Sequence, residues 1–322
     1  MNAFSACHFL VDGVRAKGKL PAHYLLDFNA NKRTGGHFMA ISNPRARLRA
    51  ILKGKRAELA SSVWDPMSAR IGADLGFKVG LMGGSLASFT VLGAPDIILM
   101  TLTELAEQVR RACRADGVAV IVDSDHGFGN ALNVMRTVEE LENAGAAAVM
   151  VEDTLLPKPF AAKKTKLIPI AEAVGKMKAA VAARKDPNLV LFARTNIGVA
   201  SPKEVIERLN AYDACGVDGL FVAGLKTRAQ LEQVAAGVKK PIMLGGVGDD
   251  MLDIAYLTRN KVRVYARGHL SFPATVQAIH NTLKQQRDGV LRKDITGIAD
   301  GDYVNKMLHD DQYKASMKEY LS

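Results

Sequence analysis

The sequence predicts a closed parallel (β/α)8 barrel, the TIM-barrel architecture, and three observations carry that expectation. From about residue 59 onward, short apolar, β-branched runs alternate with longer stretches of helical period. Alternation of this kind implies parallel strands joined by right-handed crossovers. The runs number eight, which favours a closed barrel over an open sheet. Finally, polar and charged residues gather just after the runs, where a barrel keeps its functional face.

In chain order, the strand-like runs are Leu59–Val63, Val79–Met82, Val118–Val122 and Ala147–Val151, then Leu189–Ala193, Val217–Val222, Pro241–Leu244 and Val262–Ala266. The helical patterns between them are Leu102–Ala115, Ala131–Ala144, Ile170–Arg184, Pro202–Cys215, Ala229–Val238 and Met251–Asn260. Asn130, and Ser201-Pro202 followed by Glu204, are helix-start signals. Gly76, Gly145 and Gly216 each follow a helical stretch, where a left-handed terminator is expected. The expected organisation is an extension over residues 1–38, a catalytic barrel over 39–288 and a helical tail over 289–322. Residues 1–38 have no clear periodicity, and Met39 opens a more typical enzyme start. The leading stretch is therefore read either as an extension or as sequence upstream of the initiator.

Composition bounds the function. Apolar residues make up 48% and charged residues 24%, as in ordinary globular enzymes. No apolar run is long enough to cross a membrane, and no export signal opens the chain. Three widely spaced cysteines, Cys7, Cys113 and Cys215, fit a reducing cytoplasm. The net charge of +10 is concentrated at the start: residues 1–56 hold 11 Lys/Arg and two acids, leaving 32 basic against 31 acidic residues elsewhere. An electrically balanced body argues against nucleic acid as a partner.

The strand exits carry the chemistry. They read Trp64-Asp65-Pro66, Gly83-Gly84-Ser85, Asp123-Ser124-Asp125-His126-Gly127, Glu152-Asp153, Arg194-Thr195-Asn196, Gly245-Gly246 and Gly268-His269. Asp123 and Asp125 are two apart, so an extended segment projects both to one side, and Glu152 follows on the next strand. Three carboxylates without a nearby cysteine suit a hard cation. Mg2+, with Mn2+ as a substitute, fits one direct carboxylate and two acting through water. The competing reading is that acids after a strand cap the next helix.

Arg194 offers a bidentate fork for a substrate carboxylate, or an ion pair with Glu152 or Asp153. His269 is either a hydrogen-bond donor to substrate or a packed histidine. Ser85 offers a hydroxyl beside a glycine pair that also suits a tight turn. The glycines of Gly245-Gly246-Val247-Gly248 are weak evidence of a phosphate cradle. No lysine stands at a strand exit for imine formation and no cysteine stands at the rim, so a carbonyl substrate would need activation by metal.

These residues resemble the isocitrate lyase/phosphoenolpyruvate mutase superfamily, and within it the oxaloacetate decarboxylase branch. The resemblance spans roughly Pro44 to Arg287. It rests on Trp64-Asp65-Pro66-Met67-Ser68-Ala69, Gly84-Ser85-Leu86-Ala87-Ser88, Leu92-Gly93-Ala94-Pro95-Asp96, Asp123–Asn130, Val151-Glu152-Asp153-Thr154, Ala193-Arg194-Thr195-Asn196 and Gly268-His269. It implies direct Mg2+ binding by Asp123, with Asp125 and Glu152 holding its waters. Ser85, Arg194 and His269 would contact the substrate. It also implies a homotetramer, a dimer of dimers, whose C-terminal helix is exchanged between barrels.

The sequence departs from relatives of other activities. The loop after strand four, Thr154–Lys163, lacks the Cys-Gly-His motif of the superfamily's lyases and the Lys-Asn-Ser of its phosphonopyruvate enzymes. Val247 stands near the end of strand seven, where decarboxylases of the branch often have tyrosine. The expected function is Mg2+-dependent decarboxylation of oxaloacetate, or a close 2-oxo dicarboxylate, to pyruvate and CO2 through a metal-stabilised enolate. Arg194 and His269 are the expected catalytic residues. The alternatives are a C–C lyase of a substituted malate, a phosphorus–carbon enzyme, or a non-catalytic barrel that binds 2-oxo acids.

Overall fold

Eight strands pair in parallel in sequence order, and the last returns to the first. They are β1 (Glu58–Ser62), β2 (Val79–Met82), β3 (Ala119–Asp123), β4 (Ala148–Glu152), β5 (Val190–Asn196), β6 (Gly219–Ala223), β7 (Ile242–Leu244) and β8 (Val262–Tyr265). The computed structural model describes residues 43–115 and 117–321, so the expected 1–38 extension lies outside the described residues. All eight predicted runs are strands, with ends moved by a few residues.

Alternation sorts the side chains. Ala60, Val79, Leu81, Ala119, Ile121, Ala148, Met150, Val190, Phe192, Phe221, Met243 and Val264 form the buried interior of the barrel. The intervening residues, such as Val120, Val122, Val149, Val151 and Leu191, join a second buried layer beneath the helices. A two-residue step therefore decides which side chains reach the barrel's mouth.

The amino-terminal mouth is closed by a helix that the hydrophobic pattern did not single out, Pro44–Lys53, capped by Asn43. Its Leu48 is fully buried and Leu52 nearly so, both against the barrel interior. Burial of each such side chain contributes roughly 1.5–3 kcal/mol. Arg45 donates to the Ala146 carbonyl at 2.9 Å and to Asp186 at 2.7 Å. Arg49 donates to the Asn188 and Leu189 carbonyls and to Asp218, each at 3.0 Å. Part of the basic leader is therefore spent on clamping this plug.

The helix starts and stops follow the expected signals. Asn130 accepts from the backbone N–H groups of Leu132 and Asn133, and Ser201 from that of Glu204. Gly76, Gly145 and Gly216 have φ of 81°, 98° and 92°. The Met251–Asn260 pattern breaks into a short 3-10 turn, Asp249–Met251, and a helix over Ile254–Arg259. The cause is Asp253, whose side chain accepts from Tyr256 N–H and starts the helix anew.

Beyond the barrel lie helices Ser271–Arg287, Gly301–Leu308 and Asp310–Tyr320. Ser271–Arg287 has no buried residue, and Val276, Ile279 and Leu283 form an exposed stripe along it. The next helix returns to the barrel: Met307 is buried, its carbonyl accepts from Arg70 at 3.1 Å, and Lys306 pairs with Asp74 at 2.5 Å.

Candidate active site

The carboxyl-terminal mouth opens into a cavity of about 1000 Å3, and Ser85, Asp123, Asp125, Glu152, Arg194 and His269 all line it. Three of them arrive by strand alternation. Asp123 follows Ala119 and Ile121 on β3, Glu152 follows Ala148 and Met150 on β4, and Arg194 follows Val190 and Phe192 on β5. Glu152 and Arg194 are register partners on adjacent strands. Local pairing thus sets the acid and the guanidinium side by side.

Asp125 arrives differently from the expectation. The extended segment stops at Asp123, and Asp125 takes a left-handed φ of 49°. Ser124 anchors the turn by donating its hydroxyl to the Met150 carbonyl at 2.7 Å, while Asp125 N–H donates to Asp123 Oδ1 at 3.2 Å. The two aspartates share the cavity because the chain turns back, not because they are alternate residues of one strand. Across from this turn, a Cβ on Gly84 would stand 2.4 Å from Asp125 Oδ1. Gly84 therefore provides room for the carboxylate.

Electrostatics shape the cluster. Arg194 pairs with Asp123 through Nη1, and its Nε lies 3.0 Å from Glu152 Oε2 without an aligned hydrogen bond. The ion-pair reading of Arg194 therefore holds for Glu152 and extends to Asp123; Asp153 pairs elsewhere. Below it, the Phe221 ring centroid is 5.4 Å from Arg194 Cζ. Burial opposes the guanidinium's charge, but Asp123, Glu152 and Asp125 overcome it and hold its pKa above the ordinary value.

The acids outnumber the one guanidinium. Burial, then the charges of Asp123, Asp96 and Glu152, pushes Asp125 up to about 8. Glu152 is also raised, chiefly by burial and by Asp123, against the lowering effect of Arg194. Carboxyls held this high are short of positive charge.

Several expected rim residues have other work. Asp65 caps the helix Pro66–Asp74, accepting from Ser68 N–H at 2.7 Å. Asp153 points away from the mouth, fully buried, and accepts from Thr195 at 2.8 Å, Tyr212 at 2.7 Å and Arg208 at 3.2 Å. His126 is buried outside the cavity lining beside Phe128. Burial, then Lys176, lowers its pKa to about 4. Val247 sits in the outer hydrophobic layer.

Other lining residues were not singled out as site residues. Asp96 adds a fourth carboxylate from the loop after the helical turns Gly84–Leu92, and it is raised by burial first and Asp123 second. Its position depends on the path of that loop, which no local pattern reveals. Asn196, two residues after Arg194, was reachable by the same alternation. Lys158, Lys163, Lys164 and Lys166 reach the cavity from the loop between Thr154 and Leu167, whose ends form an antiparallel bridge.

The acids Asp96, Asp123, Asp125 and Glu152 offer only oxygen donors, and they outnumber Arg194, the one cation that pairs with them. That is the chemistry of a hard divalent cation. Among the described residues, no three acids or imidazoles are drawn together tightly enough to coordinate an ion directly. A cation that keeps most of its waters, as Mg2+ does, requires no such closure.

A family model described as phosphoenolpyruvate phosphomutase matches residues 48–287. An oxaloacetate decarboxylase of Bradyrhizobium diazoefficiens is 49% identical over 284 residues, covering 88% of this chain and 99% of the relative. One from Rhodopseudomonas palustris is 50% identical over 268 residues, covering 83% and 93%. Among solved structures, a phosphonopyruvate hydrolase complexed with oxalate and Mg2+ is 27% identical with a TM-score of 0.77, covering 87% of this chain and all of that one. An oxaloacetate acetylhydrolase in complex with 3,3-difluorooxalacetate is 25% identical with a TM-score of 0.76, covering 86% and 97%. By the extent of these matches and by its closed barrel, this chain is an enzyme of the phosphoenolpyruvate mutase/isocitrate lyase superfamily and belongs to its phosphoenolpyruvate phosphomutase family.

Proposed function

We propose that this enzyme decarboxylates oxaloacetate, or a close 2-oxo dicarboxylate, to pyruvate and CO2 with Mg2+ as its cofactor. The observation that carries the proposal is the single cavity in which Asp123, Asp125 and Glu152 meet Arg194, Ser85 and His269. Relatives named oxaloacetate decarboxylase at 49–50% identity support the same substrate.

Asp123 is assigned as the direct Mg2+ ligand, with Asp125 and Glu152 holding its water shell; their raised carboxyls, short of positive charge, fit that role. When bound, Mg2+ supplies a Lewis acid for the 2-oxo oxygen, where negative charge grows as the C3–C4 bond breaks. Arg194 compensates the carboxylates and orients the substrate's anionic end. Ser85 adds a hydroxyl from the turn after β2, next to the strand of Asp123, and His269 is assigned to the reacting end. The four loop lysines, unopposed by any acid between Thr154 and Pro169, draw a dianion toward the mouth. C3 takes its proton from solvent, which the open cavity admits.

Other chemistry has less support. Neither described cysteine lines the cavity, and burial raises the Cys113 thiol to about 12, so among the described residues no thiol is at hand as acid or base. The cavity lysines are exposed, unlike the desolvated amine that imine formation favours. The proposed assembly is a homotetramer in which the stripe Val276, Ile279 and Leu283 meets a neighbouring copy.

The proposal is tested by product analysis of the purified enzyme with Mg2+ or Mn2+ against oxaloacetate, substituted malates and phosphonopyruvate. Pyruvate and CO2 from oxaloacetate alone are the expected products. Cleavage of a malate, release of phosphate, or binding without turnover would overturn it.

A further inference from the structure

His269 is held from two sides. On one, Ser62 at the end of β1 shares a hydrogen bond between its Oγ and His269 Nδ1 at 2.9 Å. On the other, Gly83 at the exit of β2 faces the Nε2 edge of the ring: a Cβ there would stand 2.5 Å from His269 Nε2 and 3.2 Å from Cε1. Both supports are products of the barrel's alternation. Ser62 is two residues after the interior Ala60, and Gly83 is two after the interior Leu81. Gly83 itself has φ of −75°, open to any residue, so its absent side chain matters for space and not for backbone freedom.

A serine hydroxyl can donate to a ring nitrogen or accept from one, so the ligand in the cavity decides the direction. Burial lowers the pKa of His269, against the charge of Asp123, and this favours a neutral ring with one N–H. An anionic substrate would be repelled by a bare ring nitrogen and attracted by an N–H. The arrangement that satisfies both sides has the Ser62 hydroxyl donating to Nδ1 and the ring's proton on Nε2. A Cβ on Gly83 would occupy the space at the Nε2 edge, and its absence leaves that space to the ring.

We propose that Ser62 and Gly83 are positioning residues for His269: Ser62 fixes its Nε2–H tautomer and Gly83 admits the ring, so that the imidazole presents a hydrogen-bond donor to the anionic substrate. This rests on the decarboxylase reading for its kinetic consequence, but not for the tautomer.

The test uses the full chain with Mg2+, read in two ways. The first is 15N NMR of the histidine side chains with oxalate as the anionic probe. The His269 signals, assigned by their absence from His269→Gln, are expected to be those of an Nε2–H ring in the wild type. In Ser62→Ala they should shift to mixed tautomers, and in Ser62→Thr, which keeps the hydroxyl, return toward wild type. The second is turnover of oxaloacetate. Loss of one hydrogen bond of about 1 kcal/mol corresponds to roughly a fivefold fall in kcat for Ser62→Ala, with KM little changed. Ser62→Thr should recover most of it. Gly83→Ala should lower kcat further by displacing the ring despite an intact Ser62.

An Nδ1–H ring in the wild type, an unchanged tautomer in Ser62→Ala, or equal impairment of the Thr and Ala variants would overturn the proposal. If the wild type does not turn over oxaloacetate, the decarboxylase reading falls, and the NMR comparison still decides the role of Ser62.

Discussion

The carboxyls of Asp125 and Glu152 tie this site to pH. Both have folded-state pKa values above the ordinary carboxylate range, Asp125 at about 8. In the metal-free protein these two carboxyls therefore bind more protons in the folded state than in the unfolded chain from about pH 4 to about pH 8. Their contribution to stability is fully present below that window and is lost as pH rises through it. A divalent cation needs the same groups ionised, so its binding releases protons and strengthens over the same window. Thermal melts should show Tm in EDTA falling from about pH 6.5 to about pH 8, above the window in which the lowered histidines His126 and His269 act in the opposite sense, while the upward shift caused by Mg2+ grows. A Tm in EDTA that rises over this range would contradict the charge balance described here. Arg194 provides a second residue-scale test. Its fork spans Asp123 and Glu152, which a lysine ammonium cannot do. Arg194→Lys should lower kcat/KM on the order of 100-fold in steady-state assays, and retention of activity would remove the fork from the account.

At the scale of elements, the loop between Thr154 and Leu167 makes a distinct prediction. Its four lysines line the mouth without local acids, so they should act mainly on the encounter with a dianion. Replacing all four by glutamine should lower kcat/KM several-fold at low ionic strength and leave kcat nearly unchanged. Added salt should erase the difference as it screens the field. Elements also differed in how visible they were in the sequence. The eight strands and most helices were legible because period, caps and terminal glycines agree locally. The plug helix Pro44–Lys53 was obscured by its arginines, which look like a solvated basic leader until Ala146, Asp186, Asn188, Leu189 and Asp218 are brought to them. The site was divided in the same way. Asp123, Glu152 and Arg194 follow from strand alternation, and Asn196 was open to the same reasoning. Asp125 turns on a left-handed residue, and Asp96 and the lysines come from loops whose paths are set by the whole barrel. Ser62 became meaningful only when β1 met the segment after β8.

Over the whole molecule, the barrel isolates its working end from its structural end. One mouth is closed by a clamped helix, and the other gathers the acids, the guanidinium and the imidazole. The chain beyond the barrel leaves Val276, Ile279 and Leu283 exposed on one helix. If this stripe joins copies into the proposed tetramer, Ile279→Glu with Leu283→Glu should reduce the mass measured by light scattering. An unchanged mass would remove the stripe from the assembly. The central claim is that a cation held at Asp123 drives decarboxylation, and it is met most directly by CO2 release from oxaloacetate with Mg2+, with EDTA, and by Asp123→Ala with Mg2+. Free Mg2+ alone promotes this reaction, so each rate is compared with a protein-free control at the same metal concentration. A wild-type rate far above that control, lost both in EDTA and in Asp123→Ala, is the predicted result. A wild-type rate no greater than the control, or an Asp123→Ala enzyme as active as wild type, would contradict the account.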